Sequence, residues 1–155
     1  MPPMAKFNRD EIEEAFTRYQ AAAKKAGKSG DWTEWGACFT EDAEYYEHHF
    51  GRMKGRKAIV DWITETMKQF PNDCMTEFPV DWYMVDEDRG WIMMSVINRM
   101  DDPGNGTVHD EYNWTLLHYA GDGLFSYEED MYNPAEFGTM ITGWLKAKKA
   151  ASAAQ

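Results

Sequence analysis

The run Gly90-Trp-Ile-Met-Met-Ser-Val-Ile-Asn-Arg-Met-Asp101 opens the stretch whose reading decides the fold. Asp102-Pro-Gly-Asn-Gly106 follows, then Thr107-Val-His-Asp-Glu-Tyr-Asn-Trp-Thr-Leu-Leu-His-Tyr119, the turn Ala120-Gly-Asp-Gly123, and Leu124-Phe-Ser-Tyr-Glu-Glu-Asp-Met-Tyr132. Branched and aromatic residues between clusters of Gly, Asn, Asp and Pro predict antiparallel strands joined by tight turns. Those turn residues tolerate positive φ or preset the bend. In the first run Trp91, Met93 and Ile97 alternate with Ile92, Met94 and Val96, so both faces are apolar. A strand with one wet face would alternate apolar with polar. One face is therefore expected to cover helices and a pocket, and the other to pack on a second subunit, as a homodimer through the sheet.

Upstream of this meander the periodicity is mostly helical. Ile12, Ala15, Phe16, Tyr19 and Ala22 recur at helical spacing from Asn8 to Ala26, with Asn8 as cap and Gly27 as stop. Asp31-Trp-Thr-Glu34 has the form of a capping box and opens a short helix bearing Trp32, Trp35 and Phe39. Asp42 to Phe50 reads as a strand, with Glu44, Tyr46, His48 and Phe50 on one face and Tyr45, Glu47 and His49 on the other. A loop from Gly51 to Gly55 leads into a helix from Arg56 to Phe70, stopped by Pro71. Thr76 to Val85 reads as a further strand. Asn133-Pro134 caps a C-terminal helix carrying Phe137, Met140, Ile141, Trp144 and Leu145, and Ala150 to Gln155 is expected to fray. The fold class is therefore α+β: a curved antiparallel sheet wrapped around N-terminal helices, with a C-terminal helix. The expectation is one domain over residues 1–155, with an ordered core at about 8–149.

Composition narrows the function. A net charge of −11 argues against nucleic acid or an anionic membrane surface as partner, because no dense basic patch exists to meet phosphates. Seven Trp, eleven Met and 15% aromatics exceed the needs of a minimal core and suggest a pocket, an interface or both. Cys38 and Cys74 have neither metal nor redox spacing, which points to a reduced, cytoplasmic setting. The stretch Met1 to Asp10 is polar without an apolar signal core, and no run approaches a membrane span. His48, His49, Glu47 and His109 do not make a metal site by spacing, since neighbouring histidines on a strand point to opposite faces.

Three short stretches carry a family resemblance: Gly30-Asp-Trp-Thr-Glu-Trp…Phe39-Thr-Glu-Asp-Ala43, then Tyr46-Glu-His48…Gly51…Gly55-Arg-Lys-Ala-Ile59, and Tyr127-Glu-Glu-Asp-Met-Tyr-Asn-Pro134. In their order and spacing the chain resembles the SnoaL-like superfamily, which shares the cone fold of nuclear transport factor two. The resemblance implies that cone. It also brings a range of activities: polyketide cyclases, ketosteroid isomerases, dehydratases, limonene-type epoxide hydrolases and non-catalytic binders.

Two constellations follow from it. The epoxide hydrolases use an Asp–Arg–Asp grouping with a Tyr-x-Asn, and the matching residues here are Arg99-Met-Asp101, Asp130 and Tyr46-Glu-His48. Two carboxylates bridged by a guanidinium divide protonation, one activating water and the other donating a proton. In cyclase- and dehydratase-like relatives a His or Asp in the cone abstracts a proton next to a carbonyl. Here that implies His48 or Asp130 as base and Tyr46 as donor. Strand parity sets Glu128, Asp130 and Tyr132 on one face. The expected catalytic set is thus Asp130, His48, Tyr46, Arg99 and Asp101, with Trp32, Trp62, Trp91, Asn113, Glu128 and Tyr132 on the substrate side. No cofactor or metal is expected. The leading expectation is an isomerase-, cyclase- or dehydratase-type acid–base enzyme acting on an apolar small molecule. Epoxide hydrolysis and non-catalytic binding are the alternatives.

Overall fold

Asn8 starts the first helix, its side chain accepting the Asp10 N–H at 2.7 Å. The structure, a computed structural model, describes residues 5–155; residues 1–4 of the expected domain lie outside them. Helix α1, Arg9–Ser29, buries Ile12, Ala15, Phe16 and Tyr19 of the stripe its periodicity predicts, with Ala22 half-buried and Ala26 buried in addition. It runs past Gly27 and ends at Gly30, whose φ of 77° supplies the left-handed cap. Gly27 serves packing instead, because a Cβ there would stand 2.6 Å from the Thr76 carbonyl oxygen. The Asp31 carboxylate caps the next turn through the Thr33 N–H at 3.0 Å, while Glu34 pairs with Lys25 at 2.6 Å rather than closing a capping box.

After α2, Thr33–Gly36, the chain enters β1, Phe39–Glu47, turns at residues 48–50 and returns as β2, Gly51–Lys54. The expected loop at Gly51–Gly55 is therefore largely a strand. Helix α3, Arg56–Thr66, buries Ile59 and Ile63 and stops short of Pro71. A 3₁₀ turn, Asn72–Cys74, leads to β3, Met75–Glu77, and β4, Val80–Asp86. One continuous strand was expected there. Phe78 and Pro79 divide it, because proline lacks the N–H that a ladder needs. The meander follows as β5, Trp91–Met100, β6, Asp110–Gly121, and β7, Leu124–Met131. Helix α4, Pro134–Ala153, continues through the residues expected to fray.

The strands form one sheet in the order β2-β1-β7-β6-β5-β3, with β4 also pairing β5. All pairs are antiparallel except β1 and β7, which run parallel. Nearly the whole domain separates these two strands in sequence, giving the long crossover a parallel pair requires. The sheet's concave face packs on α1, α2 and α3 through Phe16, Phe39, Ile59, Ile92, Leu117 and Phe125, none more than 1% exposed. Each such side chain contributes about 2 kcal/mol of burial. A smaller cluster of Met75, Met100, Met140 and Trp144 fastens α4. Trp144 donates its indole N–H to the Asp101 carbonyl at 2.6 Å. No helix among the described residues is long and apolar enough to cross a membrane.

Candidate active site

Register decides which side chains share the interior. In the parallel β1–β7 pair Tyr45 stands beside Glu128 and Glu47 beside Asp130, so all four point to the concave side. Across β6, Thr115 is the partner of Asp130. These residues line a cavity of about 510 Å³ between the sheet and the helices. Trp32, Trp35, Trp62, Phe78, Met94 and Phe137 give it apolar walls.

At its polar end the hydrogen bonds run in a definite sequence. Tyr19 donates to Glu128 at 2.9 Å, and Tyr45 lies between the two carboxyls, donating to Asp130 with Glu128 Oε1 at 3.1 Å. Thr115 donates to Asp130 Oδ1 at 2.6 Å. Asn113 donates to the Thr115 hydroxyl at 2.8 Å, and Asn98 to Asn113 at 2.7 Å. Asp130 thus stands at the acceptor end of a chain of donors that reaches across three strands.

The two inward-facing carboxyls of β7, Glu128 and Asp130, titrate differently because their surroundings differ. Burial, reinforced by the charge of Asp130, pushes Glu128 well above the ordinary range, so it favours its neutral form. Burial also lifts Asp130, from 3.8 to about 6, while the Thr115 and Tyr45 hydrogen bonds favour its charged form and limit the rise. Tyr19 and Tyr45 are pushed up by burial and then by the carboxylates, so both remain O–H donors. A neutral carboxylic acid next to a carboxylate that exchanges its proton near neutrality is the arrangement acid–base chemistry requires.

The candidate residues divide between the faces of the sheet. Asp130, Glu128, Tyr132, Asn113, Trp32 and Trp62 line the cavity. Tyr46 and His48 face outward: their rings stack at 4.1 Å, Arg52 lies over Tyr46, and His48 Nε2 meets Glu129 at 2.7 Å. His48 reaches Asp130 only through its backbone N–H. Trp91 is also on the outer face, stacked on His118 at 4.4 Å. Arg99 spends two nitrogens on Asp110, at 2.9 and 2.8 Å, and Asp101 receives the Thr76 hydroxyl at 3.0 Å. Arg99, Asp101 and Asp130 are therefore not brought together. Tyr19, Tyr45, Glu47, Asn98 and Thr115 join the cavity in addition. On β1 the buried set is Phe39, Ala43, Tyr45 and Glu47, which the parity of the strand alone does not single out.

Among the described residues no group of three His, Cys, Asp or Glu side chains is arranged to hold a metal ion. Cys38 and Cys74 are free thiols.

The family model for the SnoaL-like domain matches residues 8–122. No curated protein matches the chain. Among solved structures, an epoxide hydrolase of the limonene type from M. tuberculosis is similar at a TM-score of 0.69 and 13% identity, covering 92% of this chain and 93% of its own. A candidate isomerase from Bacillus subtilis is similar at 0.65 and 16% identity, covering 86% and 94%. A candidate polyketide cyclase from Xanthomonas campestris pv. campestris reaches 0.63 and 16%, covering 87% and 99%. At these identities the likeness establishes the cone fold.

Proposed function

The chain belongs to the SnoaL-like domain family, and from that premise we propose that it is an acid–base enzyme acting on an apolar, ring-bearing carbonyl compound. The observation that carries this reading is the Glu128–Asp130 pair, two carboxyls on one strand face with divided titration, set in an apolar cavity. Asp130 is the base that takes a proton from the carbon next to the carbonyl. As it becomes neutral, Tyr45 is freed from its charged oxygen to donate toward the developing enolate, and Tyr19 holds Glu128 in place. Return of the proton from Asp130 to another carbon gives isomerisation, and its delivery to a β-hydroxyl, which leaves as water, gives dehydration.

Deuterium uptake tests the reading. The protein, incubated in D₂O with 2-tetralone and with a β,γ-unsaturated decalone, is expected to label the carbon next to the carbonyl faster than buffer. Asp130→Asn should lower that rate by roughly 100-fold or more. Equal rates for the two proteins would remove Asp130 as base. Epoxide hydrolysis is the lesser reading, because Arg99 is committed to Asp110 and the two-carboxylate clamp does not form around it.

The convex face supports a homodimer. Trp82, Met84, Tyr112 and Trp114 are each at least 39% exposed there, on β4 and β6, which flank β5, and Trp82 meets Trp114 edge-on at 6.3 Å. Such an apolar face on a two-fold axis meets its own copy. Trp114→Glu is expected to turn a dimer into a folded monomer in light scattering. A wild-type monomer would refute this.

A further inference from the structure

Glu47 is the buried acid that the proposed chemistry leaves unused. It is only 4% exposed and lines the same cavity as Asp130. Its carboxylate accepts the N–H groups of His49 at 2.9 Å and Phe50 at 3.1 Å. Among the described residues, no lysine, arginine or histidine is within ion-pair distance of Glu47, Glu128 or Asp130. The acidic side chains along the wall are Glu47, Glu77, Glu128 and Asp130, against Lys24 as the one basic side chain. A buried acid with no basic neighbour leaves a place for a cationic ligand beside it.

The surroundings of Glu47 are aromatic. Phe50 packs on Trp62 at 5.7 Å, Trp62 on Tyr45 at 5.0 Å, and Tyr132 on Phe137 at 4.8 Å. All these rings line the cavity. The Trp62 indole N–H is buried without an acceptor.

We propose that this end of the cavity seats an organic ammonium ion, held by Glu47 among the rings of Phe50, Trp62 and Tyr132. Ring faces and a carboxylate together favour a weakly hydrated cation, which an apolar pocket alone would reject. The inference rests on the cavity being the ligand site. Combined with Asp130 as base, it narrows the substrate to a carbonyl compound bearing a protonated amine.

Binding of benzyltrimethylammonium and of its uncharged carbon isostere, neopentylbenzene, tests the seat on the full chain by tryptophan fluorescence. Glu47→Gln preserves shape and one acceptor oxygen. It is expected to weaken the cation about tenfold while changing the neutral probe less than about twofold. Trp62→Leu, which leaves the turn carboxylate intact, should show the same selective loss and serves if the first variant fails to fold. Equal effects on both probes, or none, would overturn the proposal. Neutral-only binding to the wild type would remove the ammonium seat and leave the apolar pocket and Asp130 chemistry standing. If neither probe binds, the ligand-site reading falls with it.

Discussion

Replacing Asp130 by Asn should stabilise the protein at alkaline pH while removing the proposed base. Burial raises the Asp130 carboxyl from 3.8 to about 6, so the folded protein holds that proton more tightly than the unfolded chain. Between about pH 4 and pH 6 the native state therefore carries more bound proton, and stability falls as pH rises through that window. The contribution is fully present below the window and lost above it. A shift of about two units corresponds to roughly 3 kcal/mol, an upper bound because the pair with Glu128 titrates together. Asn keeps an oxygen for Thr115, and Tyr45 can redirect its hydrogen to Glu128 Oε1, already 3.1 Å away. The variant thus loses the charge without orphaning its donors. Urea denaturation of both proteins at pH 5 and pH 8, at one protein concentration, measures the effect. Wild type should lose about 1.4 kcal/mol between the two pH values, the rest having been lost below pH 5, and Asp130→Asn less. The variant should be the more stable protein at pH 8. If it retains the wild-type pH slope, the assignment of the raised carboxyl to Asp130 is wrong.

Two substitutions elsewhere follow from the geometry. Arg99→Ala breaks a half-exposed bidentate pair with Asp110 and should cost no more than about 1 kcal/mol in urea denaturation, with the deuterium-exchange rate unchanged. A hundredfold loss of that rate would reinstate Arg99 as part of the catalytic site. Gly27→Ala would stabilise an open helix by about 1 kcal/mol, but here its Cβ would stand 2.6 Å from the Thr76 oxygen. A lower Tm is expected, and a higher one would mean that α1 and β3 separate at no cost.

The meander and the helical stripes were legible because each rests on a local period. Ile92 with Met94, and Ile12 with Phe16, repeat at the spacing of a strand or a helix wherever the rest of the chain lies. The shared face of Glu128, Asp130 and Tyr132 came from the same source, and these three residues line the cavity. Alternation divides a strand into two sets without saying which set faces inward. On β1 the set Tyr46 and His48 was expected inside, and Tyr45 and Glu47 are there instead. The parallel pairing of β1 with β7 decided it, a contact between segments some eighty residues apart, matching Tyr45 to Glu128 and Glu47 to Asp130. The fate of Arg99 was settled the same way: the β5–β6 register sets it beside Asp110 and away from Asp130. The amino-acid order by itself determined the elements, the α+β class and the apolar surplus, since hydrophobic period and turn chemistry act over a few residues. Only the tertiary structure decided which carboxyls, phenols and rings share one dry space, since register and burial are properties of strands brought together from across the chain.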